Sequence, residues 1–83
     1  MSGWLKIVGL GPGSEAMITP EVTAALQEAT DVVGYVPYVN RVAPRAGLVR
    51  HGSDNREEIR RAEQALQLAL EGHRVVVVSS GDP

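Results

Sequence analysis

The 83-residue chain sets eight lysines and arginines against ten aspartates and glutamates, for a formal charge of −2, with both signs interspersed. That balance offers no basic field for nucleic acid and no polybasic patch for a membrane surface. It has no cysteine, which excludes a disulfide or thiolate-metal support for its thin core and suits a cytoplasmic protein.

The N-terminus holds one lysine before an early Gly-Pro-Gly, which is not the pattern of a signal peptide. Trp4 to Leu10 is short, apolar and β-prone, and it runs into Gly11-Pro12-Gly13, so a strand ending in a glycine loop is predicted. Trp4 is expected to be partly buried against a helix. Thr19-Pro20-Glu21 marks a helix start: the threonine can cap free N–H groups, proline fits the first helical position, and glutamate complements the helix dipole. Val22, Ala25, Leu26 and Ala29 then share one face. Asp31 to Tyr35 reads as a second strand. Pro37 and Pro44 bracket a segment without a clean period, with one short helical turn expected near Tyr38 to Val42. Gly47 to Arg50 reads as a short strand.

Asp54 and Glu57 have the spacing of a capping box, which predicts a helix starting there. Ile59, Ala62, Leu66, Ala69 and Leu70 are its predicted apolar face. Glu57, Glu58, Arg60 and Arg61 read as a solvated face, with Glu57 and Arg61 one turn apart. Gly72 is the predicted stop, because glycine accepts the left-handed conformation. Arg74 to Val78 closes the series. Its four consecutive valines suggest a strand buried on both faces, yet far too short to span a bilayer. This order predicts an α/β fold with a mainly parallel sheet and flanking helices, in one domain over residues 1–83. Because the sequence stops in a polar loop directly after a buried strand, it reads as a piece truncated at its C-terminus.

Two loops carry the chemical interest. The Gly9-Leu10-Gly11-Pro12-Gly13 stretch allows a ligand to approach the backbone closely, although a tight strand-to-helix turn accounts for it equally well. It is no dinucleotide fingerprint, since Ser14 stands where the third glycine belongs, and no P-loop, since no Gly-Lys-Ser/Thr follows. The second loop is Ser79-Ser80-Gly81-Asp82-Pro83. Ligands of open α/β sheets bind beyond the carboxyl ends of strands, and both loops lie at such ends. If the first and last strands are neighbours, the loops face one crevice, where Asp82 can accept hydrogen bonds. Tyr35 and Tyr38 could line a planar ligand, with ordinary packing favoured for Tyr38. His51 and His73 sit beside glycines at predicted element ends and read as surface residues, with no partner at metal-ligand spacing.

These residues resemble the tetrapyrrole (corrin and porphyrin) methylase family. The resemblance is carried by Ile7-Val8-Gly9-Leu10-Gly11-Pro12-Gly13, Ile18-Thr19-Pro20, Ala29-Thr30-Asp31-Val32-Val33-Gly34-Tyr35 and Ser80-Gly81-Asp82-Pro83. Gly34-Tyr35 with Tyr38-Val39, and Ser53-Asp54-Asn55-Arg56-Glu57, are similar to the branch that methylates precorrin-3B at C17. The resemblance implies the N-terminal part of a two-domain enzyme, usually a homodimer, that uses S-adenosylmethionine. It implies cofactor contacts at Pro12, Ser80, Gly81 and Asp82, and a tetrapyrrole bordered by Gly11, Gly13 and Tyr35. The implied product is precorrin-4, in cobalamin biosynthesis. Relatives that methylate uroporphyrinogen carry an acidic residue where this chain has Val36, and an aspartate at Ser14, so no catalytic base is carried over. Another methylase of the family and a non-enzymatic α/β binding domain stand as alternatives.

Overall fold

The run of valines forms the centre of the molecule. In the computed structural model, which describes residues 3–10, 19–54 and 56–79, seven elements follow one another. They are β1 (Trp4–Gly9), α1 (Pro20–Glu28), β2 (Asp31–Tyr35), α2 (Val36–Val39), β3 (Val49–Ser53), α3 (Glu58–Leu70) and β4 (Arg74–Ser79). The four strands make one sheet in the order β1-β4-β2-β3, and every neighbouring pair is parallel. The α/β architecture with a parallel sheet and flanking helices is therefore the one expected.

β4 and β2 occupy the middle, so their side chains are covered on both faces. Val32, Val33, Val75 and Val76 have no solvent exposure, and each such burial stabilises by about 1.5–3 kcal/mol relative to an exposed side chain. Successive residues point to opposite faces. Val32, Val76 and Val78 join Leu10, Ala25, Ala29, Val39 and Val42 in a cluster under α1 and α2, with Trp4 half-buried against it as expected. Val33 and Val75 pack on Ala65 of α3 on the other face.

Helix α1 begins as read: Val22 N–H donates to Thr19 Oγ1 at 3.2 Å, and proline occupies the first turn. Four expectations need correction. The short helix starts at Val36, directly after β2, with Pro37 inside its first turn rather than outside it. Proline fits there because first-turn N–H groups have no intrahelical acceptor. The third strand is Val49–Ser53, not Gly47 to Arg50. Gly47 has φ 85° and belongs to the turn before it, while His51, Gly52 and Ser53 pair with Val33, Gly34 and Tyr35.

The predicted capping box does not form. Asp54 Oδ1 accepts from Arg56 N–H at 3.1 Å, Asp54 O accepts from Glu57 N–H, and α3 starts at Glu58 without a side-chain cap. Finally, α3 packs through Ala65, Leu68 and Ala69, whereas Ile59, Leu66 and Leu70 are exposed. The small Ala65 lets the helix approach the valines closely, and this turns the bulkier residues outward. Gly72, at φ 97°, ends the helix as predicted.

Candidate functional site

The carboxyl ends of the four strands lie together at one edge of the sheet. Gly9 of β1 is in register with Ser79 of β4, and Leu10 N–H donates to Ser79 O at 2.9 Å. Ser79 Oγ donates back to Val8 O at 3.3 Å. The first and last strands are thus neighbours, and they stay hydrogen-bonded up to the points where the two loops begin. Beside them, Gly34 pairs with Val78, and Tyr35 at the end of β2 pairs with Ser53 of β3.

Of the residues singled out as site candidates, Tyr35 is described. It is half-buried, and its ring meets Tyr38 edge-on with centroids 5.5 Å apart. Tyr38 packs against the α1-side core, as favoured. Gly11, Pro12, Gly13, Ser80, Gly81 and Asp82 lie outside the described residues.

Polar side chains brace this edge in ways the sequence did not signal. Arg41, in the turn after α2, donates through Nη2 to Leu10 O at 3.3 Å. Arg61 Nε donates to Ser53 Oγ at 2.9 Å and its Nη2 to Asp54 O at 2.9 Å, so it ties α3 to the end of β3 rather than lining a solvated face. An open groove of about 300 Å³ beside α1 is lined by Leu26, Arg41, Val42, Arg45 and Leu48 among others. Arg45 Nη2 donates to the carbonyls of Leu26, Gln27 and Ala29 at 2.7–2.9 Å. It thereby supplies the free carbonyls at the end of α1 with a cationic donor.

The two histidines are not isolated surface residues. At the amino end of the sheet, the buried Asp31 carboxylate accepts from His51 Nε2 through Oδ2 at 2.8 Å. Through Oδ1 it accepts from His73 Nδ1 at 2.8 Å and from Thr30 Oγ1 at 2.7 Å. Gln64 of α3 donates to His51 Nδ1 at 3.3 Å, which leaves Nε2 to carry the hydrogen facing Asp31. Burial alone would raise the Asp31 pKa. The hydrogen bonds from Thr30, His51 and His73, with the charge of His73, outweigh it and hold the carboxyl below its ordinary range. Among the described residues no three His, Cys, Asp or Glu side chains are placed to hold a metal ion. No sequence signal marked this cluster, because its members are separated by 20 and 42 residues.

Comparison with known proteins follows the same pattern of strands and loops. The family model for tetrapyrrole (corrin/porphyrin) methylases matches residues 5–83. All 83 residues align at 48% identity with cobalamin biosynthesis protein CobIJ of Mycobacterium tuberculosis (strain ATCC 25618 / H37Rv), covering 16% of that protein. They align at 47% identity with the precorrin-3B C(17)-methyltransferase of Sinorhizobium sp, covering 33% of it. The crystal structure of the methyltransferase CobJ superposes with a TM-score of 0.93 at 67% identity, over 99% of this chain and 34% of that one. The chain therefore spans between a sixth and a third of the length of these relatives. With its fold, its order of elements and nearly its whole length matched, the chain belongs to the tetrapyrrole (corrin/porphyrin) methylases.

Proposed function

We propose that this chain is the N-terminal part of an S-adenosylmethionine-dependent enzyme that methylates C17 of precorrin-3B. The observation that carries this reading is the pairing of Gly9 with Ser79, which delivers both candidate loops from adjacent strand ends. On this reading Pro12, Ser80, Gly81 and Asp82 contact the cofactor, and Gly11, Gly13 and Tyr35 border the tetrapyrrole. The described residues at this edge suit such a ligand. Gly9 adds no side-chain bulk, and Tyr35 offers a half-buried aromatic edge. When bound, S-adenosylmethionine supplies an electrophilic methyl group on a sulfonium. As the bond to C17 forms, the S–CH3 bond breaks and its electron pair stays on sulfur, giving S-adenosylhomocysteine. Such a transfer depends chiefly on alignment of donor and acceptor, so the role of this part of the protein is to hold and orient. Kinship with the precorrin-3B and cobalt-factor III C17-methyltransferases favours a corrinoid precursor as the acceptor.

The isolated 83 residues are expected to bind S-adenosylmethionine weakly or not at all in titration calorimetry. Micromolar binding by them alone would overturn the assignment of a cleft shared with further chain. In a protein that also carries the rest of the relatives' length, Asp82→Ala is expected to weaken cofactor binding roughly tenfold or more, the loss of a hydrogen bond to a charged group. Methyl transfer to precorrin-2 or precorrin-4 in preference to precorrin-3B would refute the substrate.

A further inference from the structure

Leu10 directly follows β1, and three separate contacts hold it. Its side chain has no solvent exposure and lies in the cluster under α1 and α2. Its N–H donates to Ser79 O at 2.9 Å, which ties it to β4. Its carbonyl accepts from Arg41 Nη2 at 3.3 Å. The first two contacts belong to the core and the sheet. The third comes from a side chain 31 residues away.

The turn that carries Arg41 is itself clamped. Arg41 N–H donates to Tyr38 O at 3.1 Å and Val42 N–H to Val39 O at 3.0 Å, so the chain turns tightly after α2. Val39 and Val42 are buried in the same cluster as Leu10. Arg50 of β3 donates through Nη1 to Val42 O at 2.9 Å. The half-buried Arg41 therefore reaches the end of β1 from a fixed base. In a planar trans peptide the carbonyl and the next N–H point in opposite directions. Holding Leu10 O thus orients the peptide unit from which the chain continues. Gly-Pro-Gly comes next in the sequence, and glycine imposes little direction of its own.

We propose that Arg41 is a positioning residue for the methyl donor: through the Leu10 carbonyl it sets the direction in which the chain leaves β1 toward the cofactor. The inference rests on the reading that Pro12 contacts S-adenosylmethionine, and it adds a residue that this reading does not contain. The same short segment carries Tyr38, whose ring meets Tyr35 edge-on at 5.5 Å. One turn thus holds the strand end that leads to the donor and supports the tyrosine read as bordering the acceptor. Alignment of those two partners is what methyl transfer depends on most. Arg45 provides the contrast. It also donates to backbone carbonyls, but at the end of α1, two residues before β2 begins and away from the ligand edge.

The test measures S-adenosylhomocysteine binding by titration calorimetry, in a protein that also carries the rest of the relatives' length and at a temperature where each variant is folded. Arg41→Met keeps the apolar stem and removes the donors, and it is expected to weaken binding roughly fivefold to tenfold. Arg41→Lys keeps a cationic donor and is expected to fall between Arg41→Met and the wild type. Arg45→Met, the control for loss of a carbonyl-binding arginine from the same region, is expected to bind within about twofold of the wild type. A purely structural role predicts instead that Arg41→Met and Arg45→Met both lower Tm and leave affinity alike, and that result overturns the proposal. Should Arg41→Met fail to fold, Arg41→Lys decides: weakened binding supports the positioning role and wild-type affinity overturns it. Absence of binding by the wild-type longer protein would sink the cofactor reading and this inference with it. Wild-type binding with an unchanged Arg41→Met protein sinks the inference alone.

Discussion

Asp31 is the buried carboxylate on which two long-range side-chain contacts converge. It joins the start of β2 to β3 through His51 and to the entry of β4 through His73. Replacing it with asparagine removes a charged acceptor from a site 2% exposed, so Asp31→Asn is expected to cost about 2–3 kcal/mol in urea unfolding at neutral pH. The pH dependence follows from the direction of its shift. A carboxyl held below its unfolded value, 3.8, contributes stability that is fully present above that value and is lost as the pH falls through the lower folded one. Unfolding followed into acid should therefore show the wild-type and Asp31→Asn curves converging as the pH falls below 3.8 and through the lowered folded value; parallel curves would rule out the assigned role. Arg45 makes a smaller contribution. It caps α1 from an exposed position, and Arg45→Met is expected to lower stability by about 1 kcal/mol or less, with the loss shrinking at high salt.

Among the elements, β2 and β4 carry the fold, and Gly34 of β2 is packed tightly against Val78 of β4. A Cβ there would lie 2.7 Å from Val78 Cγ2 and 2.9 Å from Val78 O. The valine side chain can turn, but the carbonyl belongs to the central strand and cannot yield without moving the ladder. Gly34→Ala is thus expected to destabilise by about 1–3 kcal/mol through overpacking, measurable as a lowered Tm, and an unchanged Tm would show that the two strands can separate at that point. Helix α3 teaches a different lesson. Its apolar residues repeat at helical spacing, and from periodicity alone they define the buried face. The contacts instead run through Ala65, Leu68 and Ala69, because the helix with the smallest residue inward sits closest to the flat layer of valines. The period identifies a helix and an apolar stripe; it does not say which neighbour the stripe meets.

At the scale of the whole molecule, protection should follow strand order. The central β4 and β2 are hydrogen-bonded on both sides, so their amides are expected to exchange more slowly than those of β3 and β1. Faster exchange in β4 than in β3 would contradict the observed order. The candidate ligand edge and the Asp31 cluster lie at opposite ends of this sheet. Stability and ligand contact are therefore separable, and Asp31→Asn should leave cofactor affinity of the longer protein unchanged at temperatures where it stays folded. Much of this arrangement was legible in the chain. Alternating strand and helix signals predicted α/β layering, Thr19-Pro20 placed the start of α1, Gly72 ended α3, and four valines marked a strand covered on both faces, since each of these rests on contacts within a few residues. The order β1-β4-β2-β3, the union of Asp31 with two distant histidines, the pairing of Arg61 with Ser53 and the rotation of α3 were decided only by tertiary structure. They depend on which surfaces meet across the fold, and short-range propensity holds no information about partners tens of residues away.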